Sequence, residues 1–208
     1  MARRPHLSRR VRDAIRAGAQ SSAVVLADLV VERFAPSSVV DVGCGEGWLV
    51  HELRSRNVKA FGVDGDDVGA DLVLDLTAPP YPELDGAPFD LAVCLEVAEH
   101  VDEANAGDLV GWLCDLAPVV AFSAAIPGQG GQGHVNERPP AYWVDLFAQR
   151  GLAGSGALRT ELWDDERIEA WYRQNLLVFA DPKVLKRVGL DQDGCPYIVH
   201  PGIWSVYR

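Results

Sequence analysis

The stretch that most constrains the fold is Val39-Val40-Asp41-Val42-Gly43-Cys44-Gly45-Glu46-Gly47, an apolar run that breaks into glycine at alternate positions. The apolar run reads as a buried strand, and the glycines let the backbone turn sharply and pass close to a ligand. Trp48 to Arg56 then has helical spacing, so the unit is strand, loop, helix. The start of that helix offers free N–H groups and a positive dipole end to a carboxylate. A nucleotide-binding α/β domain also needs an acid at the end of the next strand, about 20 residues on, to hold ribose hydroxyls. Asp64, closing Phe61-Gly62-Val63-Asp64, is placed to do that. The nicotinamide fingerprint G-x-G-x-x-G would need its third glycine at position 48, which is Trp48, so a dehydrogenase is disfavoured.

The alternation continues along the chain. Residues 9–34 read as helix, with a break expected near Gly18 to Ser22. Strands are expected at Ser38–Val42, Ala60–Asp64, Leu72–Leu76, Phe89–Leu95 and Val119–Ala125, with a helix from about Asp102 to Asp115. Such crossovers imply an α/β, doubly wound, mainly parallel sheet covered on both faces. Pro127–Gly133, rich in glycine and glutamine, reads as a mobile loop. Ala141–Gln149 reads as a helix ending at Gly151, and late strands are expected at Ala157–Leu162 and Asn175–Ala180. A chain of 208 residues with 48% hydrophobic content suits one domain over 1–208, with 1–34 a helical cap and 183–208 an extension. In that extension, Cys195-Pro196 and His200-Pro201 suggest extended backbone, which leaves open whether it covers the sheet, closes a pocket or pairs with another subunit.

The glycine turn resembles the first motif of the class I S-adenosylmethionine-dependent methyltransferases, and Asp64 resembles the second, with a match by motif order over roughly residues 38–127. The resemblance implies a Rossmann-like sheet of seven strands with the last antiparallel, and S-adenosylmethionine as cofactor. It implies that Gly43, Gly45 and Gly47, with Cys44 between them, pass under the methionine part while Asp41 helps to hold its amino group. Asp64 would bind the ribose hydroxyls and Asp75 the adenine amino group, with Leu76 packing beside it. Phe89-Asp90-Leu91-Ala92-Val93-Cys94-Leu95-Glu96 resembles the fourth motif, whose strand end, here Glu96, faces the transferred methyl group. The segments Ser123–Gly131, His134–Glu137 and Trp171–Asn175 resemble small methyltransferases of natural-product or surface-sugar modification.

After that strand comes Glu96-Val97-Ala98-Glu99-His100, followed later by His134. A helix starting near Glu96 would put Glu96, Glu99 and His100 on one face. With His134 they form a divalent-metal set of two carboxylates and two imidazoles. Such an E-x-x-E-H run resembles that of small-RNA 2′-O-methyltransferases and ubiquinone-pathway O-methyltransferases, but class I enzymes that bind no metal carry a similar run, so no metal is favoured. His134 is the first candidate base, since a neutral imidazole can take a proton near working pH, with His100 behind it. Asn136, Glu137, Tyr142 and Trp143, with Trp171, Tyr172, Arg173 and Gln174 from a later segment, are the candidate acceptor contacts.

The net charge of -11 is uneven: Arg3, Arg4, Arg9, Arg10, Arg12 and Arg16 against Asp13 make the first sixteen residues basic on an acidic body. An acidic body repels phosphate backbones, so nucleic acid is not the expected partner. No membrane span or signal peptide is apparent, and the four cysteines form no C-x-x-C pair, which points to a cytoplasmic protein with reduced thiols. The expectation is methyl transfer to an oxygen or nitrogen of a small polar metabolite. Its alternatives are metal-assisted 2′-O-methylation of RNA, and a non-catalytic S-adenosylmethionine-binding partner protein. The oligomeric state stays open.

Overall fold

The computed structural model describes the backbone of residues 9–206 and the side chains of residues 16–203. Arg3 and Arg4, the side chains of Arg9, Arg10, Arg12 and Trp204, and Tyr207 lie outside the described residues. The elements in chain order are α1 Arg9–Phe34, β1 Ser38–Val42, α2 Trp48–Ser55, β2 Lys59–Asp64, β3 Leu72–Val73, β4 Leu91–Leu95, α3 Glu103–Leu116, β5 Val119–Ser123, α4 Pro140–Gln149, β6 Ala153–Ser155, α5 Ala157–Leu162, α6 Ala170–Asn175, β7 Leu177–Ala180, α7 Pro182–Arg187 and α8 Pro201–Val206.

Seven strands form one sheet in the order β3-β2-β1-β4-β5-β7-β6. Pairing is parallel from β3 through β5, while β7 runs antiparallel to both β5 and β6. The doubly wound, mainly parallel sheet with its last strand reversed is therefore observed. Neighbouring residues of the central strands serve opposite cores, as a pleat requires. Val40, Ala92, Cys94, Val120 and Phe122 join the core under α3 and α4, whereas Val39, Leu91, Val93 and Ala121 join the core under α1 and α2. Phe147 of α4 stacks on Phe179 of β7 at 3.8 Å between ring centroids, which ties the reversed strand to the α3/α4 layer.

Several boundaries differ from the sequence expectation. Helix α1 runs through Gly18 to Ser22 without a break: a Cβ at Gly18 would stand 1.7 Å from Glu169 Oε1, and Ser22 Oγ accepts from the Glu169 N–H at 3.0 Å. The small residues there admit a neighbouring segment rather than end the helix. Ala157–Leu162 is helix α5 and the strand is Ala153–Ser155. Leu158 and Leu162, four apart, both bury, so the helical period decides the segment. Strand β3 keeps only Leu72–Val73 because Asp75 accepts from the Thr77 N–H and hydroxyl and turns the chain. Asn175 ends α6 instead of opening β7. Within 183–208 the chain first completes α7, then has no regular structure over residues 190–200, and Pro201 opens α8, where proline is tolerated at the first turn.

Order reverses between β1, which leads outward to β2 and β3, and β4, which leads to β5. Open α/β sheets hold their ligands at that crevice, beyond the carboxyl ends of the strands. The glycine turn after β1 and Glu96 after β4 flank it.

The loop after β2 packs on the turn through glycine on both sides: a Cβ at Gly69 would lie 2.4 Å from the Glu46 carbonyl carbon and 2.8 Å from Gly47 N. Gly69→Ala is expected to lower stability by about 1–3 kcal/mol through backbone crowding. Urea unfolding is the measurement, with Gly65→Ala, whose nearest contact would be an ordinary 3.8 Å, as the tolerated control.

Candidate active site

The turn after β1 is built from left-handed glycines, with φ of 84° at Gly43, 54° at Gly45 and 74° at Gly47. It is held from below: the N–H groups of Gly43 and Cys44 donate to Val63 O at 2.7 and 3.1 Å, and the Gly45 N–H donates to Asp64 Oδ2 at 2.7 Å. The glycines do different work. A Cβ at Gly43 would strike Val97 at 2.1 Å, while one at Gly45 would meet nothing within 4 Å, so the turn borders open space at Gly45.

Two cavities meet at Gly43. One, of about 420 Å³, lies under α1 and is bordered by Ala19, Ala23, Asp41, Trp48, Leu95 and Tyr172. The other, of about 790 Å³, is bordered by Asp64, Asp75, Leu76, Glu96, His100 and Gly133. Predicted cofactor residues thus divide between them, Asp41 and Cys44 in the first and Asp64, Asp75, Leu76 and Glu96 in the second. Asp41 is 5% exposed, and burial followed by the charge of Asp64 pushes its carboxyl up to about 7. Asp75 both faces the cavity and caps the Thr77 turn, whose hydrogen bonds hold its carboxyl below the usual range. Burial and then Asp41 push the Cys44 thiol up to about 12, so it is an unreactive thiol. Arg16, from α1, reaches the turn through Glu46 at 2.8 Å and stands 5.6 Å from the Trp48 ring.

Beyond β4 the expected helix does not form. Glu96 has φ of 56°, its N–H donating to Ser123 O at 3.0 Å and Oγ at 3.1 Å, and only a single 3₁₀ turn, Ala98–His100, follows. Glu96, Glu99 and His100 therefore do not share a helix face. The Glu96 carboxylate accepts from Asn175 Nδ2 and Gln129 Nε2. Glu99, His100 and His134 do converge, with ligand atoms within 4.8 Å of one another.

Glu99 is wholly buried with both carboxylate oxygens unpartnered, and burial, then Glu96, push its carboxyl up to about 9. His134 Nδ1 lies 2.9 Å from Glu137 Oε1, and its Nε2 stands 3.9 Å from Glu99 and is covered by Gly131, whose Cβ would fall 2.1 Å away. Glu137 also accepts from the Gly128 and Gly130 N–H groups; burial alone would raise its carboxyl, but these bonds and His134 hold it below the usual range. The His100 ring borders the larger cavity with Nδ1 3.2 Å from Gly133 O, and burial lowers its pKa.

The predicted acceptor contacts are dispersed. Asn136 is buried with its oxygen on Arg138 Nε, Glu137 serves the glycine loop, and Tyr142 sits beside Arg138. Trp143 is 1% exposed in the core against Phe122, and Arg173 donates to Trp163 O. None of these, nor Trp171, borders either cavity, whereas Tyr172 does. Sequence reasoning passed over Gly69, and it gave Ser123, Gln129 and Asn175 no role of their own within the segments it singled out; Gln174, expected among the acceptor contacts, borders neither cavity and bonds Gln129 and Asn175 instead.

A family model described as a methyltransferase domain matches residues 16–123. Ubiquinone biosynthesis O-methyltransferase of Stutzerimonas stutzeri is 27% identical over 124 residues, 52% of this chain and 48% of that protein. The enzyme of that name from Alkalilimnicola ehrlichii is 24% identical over 172 residues, 74% of this chain and 66% of that one. The chain spans about half the length of the first curated relatives it matches. Magnesium protoporphyrin IX methyltransferase of Synechocystis, solved with bound S-adenosylhomocysteine, shares the fold at a TM-score of 0.60 and 18% identity, covering 85% of this chain and 89% of that one. An amino pentose methyltransferase of Micromonospora echinaspora does so at 0.55 and 16%, covering 84% and 98%. With more than half of its length matched by the family model and its sheet shared with these solved structures, the chain belongs to the class I S-adenosylmethionine-dependent methyltransferase family.

Proposed function

We propose that the chain binds S-adenosylmethionine over the glycine turn and transfers its methyl group to an oxygen or nitrogen of a small molecule. The observation that carries this reading is the pairing of open space at Gly45 with a buried, unshared carboxylate, Asp41, facing the cavity. A cationic ammonium is the partner such a carboxylate calls for. The cofactor supplies an electrophilic methyl on a sulfonium; the rest is the chain's own work. Asp64 turns to the ribose hydroxyls while its other oxygen anchors the turn, Asp75 and Leu76 take the adenine, and Glu96 supplies the negative potential that a sulfonium favours.

Methyl transfer depends chiefly on alignment, with modest demand for a base. His100 is the better placed of the two imidazoles. It borders the cavity, and burial keeps it neutral, ready to accept a proton from a hydroxyl or amine. His134, held by Glu137 and covered by Gly131, supports the His100 ring edge-on at 4.9 Å. The relatives and neighbours whose names state an acceptor act on small molecules, which supports a small acceptor here. No helix among the described residues is long and apolar enough to cross a membrane.

A second reading, methyl transfer assisted by a divalent cation, has its own observation in the two unpartnered oxygens of Glu99 beside two imidazoles. Glu99, His100 and His134 would hold the ion, which would draw an acceptor oxygen into line.

Calorimetric titration with S-adenosylmethionine is expected to show micromolar binding that weakens at least about tenfold in Asp64→Ala, the loss of hydrogen bonds to a charged group. No binding to the parent chain overturns the reading. Since Asp41 is raised to about 7, affinity is expected to rise between pH 6 and pH 8 as the carboxylate ionises, and Asp41→Asn is expected to flatten that rise. The ligand-free fold behaves in the opposite sense. Above the unfolded pKa near 3.8 the unfolded chain loses its proton while the folded one keeps it, so stability falls towards pH 7 by at most about 1.4 kcal/mol per pH unit. Asp41→Asn removes that fall, so the variant should melt progressively higher than its parent as pH rises from 4 to 7. For the second reading, added Mg²⁺ or Mn²⁺ is expected to raise the melting temperature reversibly by chelator in the parent chain and not in Glu99→Gln. An unchanged parent discards the cation.

A further inference from the structure

Behind Glu96, outside both cavities, runs a buried string of polar groups. Glu96 Oε1 accepts from Asn175 Nδ2 at 3.0 Å, and Oε2 from Gln129 Nε2 at 3.1 Å. Gln174 Nε2 lies 3.0 Å from both Asn175 Oδ1 and Gln129 Oε1. Gln174 Oε1 accepts from the backbone N–H of His200 at 2.8 Å. Gln129, Gln174, Asn175 and His200 are each at most 7% exposed.

The direction of this string is fixed at its far end. A carboxamide can be turned end for end, so three of them in a row have no inherent polarity. A backbone N–H can only donate. The His200 N–H therefore claims the oxygen of Gln174, whose NH₂ faces the oxygens of Asn175 and Gln129, whose NH₂ groups are then left for Glu96. At the near end the Ile126 N–H, 3.3 Å from Gln129 Oε1, orients Gln129 in the same sense, and Asn175 Nδ2 also donates to that oxygen at 2.9 Å, while Gln174, oriented by the His200 N–H, faces Asn175 Oδ1. Reversed, both amides would turn oxygens towards a carboxylate, acceptor against acceptor.

His200 is itself held firmly. Its Nδ1 accepts from the Gly202 N–H at 2.9 Å, which leaves Nε2 to donate to Trp163 O at 2.8 Å. The string also bears on a strained residue, since Glu96 holds a left-handed backbone that a side chain rarely adopts.

We propose that Gln174 is a positioning residue for Glu96, and that residues 195–203 belong to the reaction-centre apparatus because the His200 N–H sets the polarity of the relay that aims the Glu96 carboxylate. The proposal rests on the cofactor reading above, in that Glu96 faces the sulfonium charge. It ties the docking of the C-terminal segment to the electrostatics of a cavity that the segment does not border.

The test is calorimetric affinity for S-adenosylmethionine and for S-adenosylhomocysteine, which differ by one methyl group and one positive charge. Their ratio reads the charge near the sulfur and cancels a general loss of folded protein. Gln174→Met, of similar length, and His200→Pro, which lacks the N–H, are each expected to lower the ratio about tenfold, as Glu96→Gln does, the effect of losing hydrogen bonds to a charged group. His200→Ala keeps the N–H and is expected to lower it less than His200→Pro. Equal losses for both ligands, or an unchanged ratio in Gln174→Met, overturn the proposal. Should His200→Pro fail to fold, Gln174→Met and Glu96→Gln decide it. A parent chain that binds neither ligand overturns the cofactor reading and this proposal with it, a result distinct from a parent that binds both and variants that keep its ratio.

Discussion

The site depends on how the end of β1 is fastened to the end of β2. Three N–H groups of the turn, from Gly43, Cys44 and Gly45, are spent on Val63 and Asp64 rather than on any ligand. A turn held this way does not have to be ordered when a ligand arrives, and ordering a loop on binding is a cost that rigid sites avoid. The fastening also explains the glycine pattern. Positive φ is required at each glycine, but Gly43 is closed off by Val97 and Gly47 by Gly69, so only Gly45 opens outward. Conformation and exposure are separate demands, and the same residue type answers both.

The second constraint is electrostatic. Three carboxylates, Asp41, Glu96 and Glu99, are gathered at the ends of β1 and β4 in a region largely withdrawn from water, where like charges and desolvation both oppose ionisation. The fold resolves them differently. Glu96 has two amides and a serine bonded to it, and burial still raises its pKa although Asn175, Ser123 and Gln129 act against that. Glu99 has backbone neighbours but no partner for either oxygen, and Asp41 looks into a cavity. Acids left in this condition lower the stability of the empty protein and are relieved by a cation, which accords with the cofactor reading proposed above.

Much of the fold was legible in the sequence because parallel strands buried on both faces are short apolar runs, and β1, β2, β4 and β5 each stand out as one. The legible part of the site had the same origin: glycines, then an acid at the end of the next strand, are a local pattern. What was not legible is non-local. Gly18 looked like a break and is a seat for Glu169, 151 positions away along the chain and unmarked by any motif. Ala157–Leu162 carries both an apolar run and a helical period, and the choice between them was made by which side chains the core admits. The expected face shared by Glu96, Glu99 and His100 assumed a helix, but Ser123 captures the Glu96 N–H and turns the chain before one begins.

The polar residues near the end of β4 illustrate the limit most clearly. His134 was conspicuous by its loop and its chemistry, whereas Gln129, lying in a patch that reads as flexible, is 6% exposed and fixed at both ends of its amide. A glycine-rich loop is expected to move, yet this one is pinned by the Glu137 carboxylate at Gly128 and Gly130, by the Val135 and Asn136 N–H groups on Glu99 O, and by Gln129 within the core. Composition describes the backbone freedom a segment has when alone. It does not describe how many of its donors are claimed once the chain has closed, and here it is those claims, made by residues remote in sequence, that give a flexible composition a fixed shape.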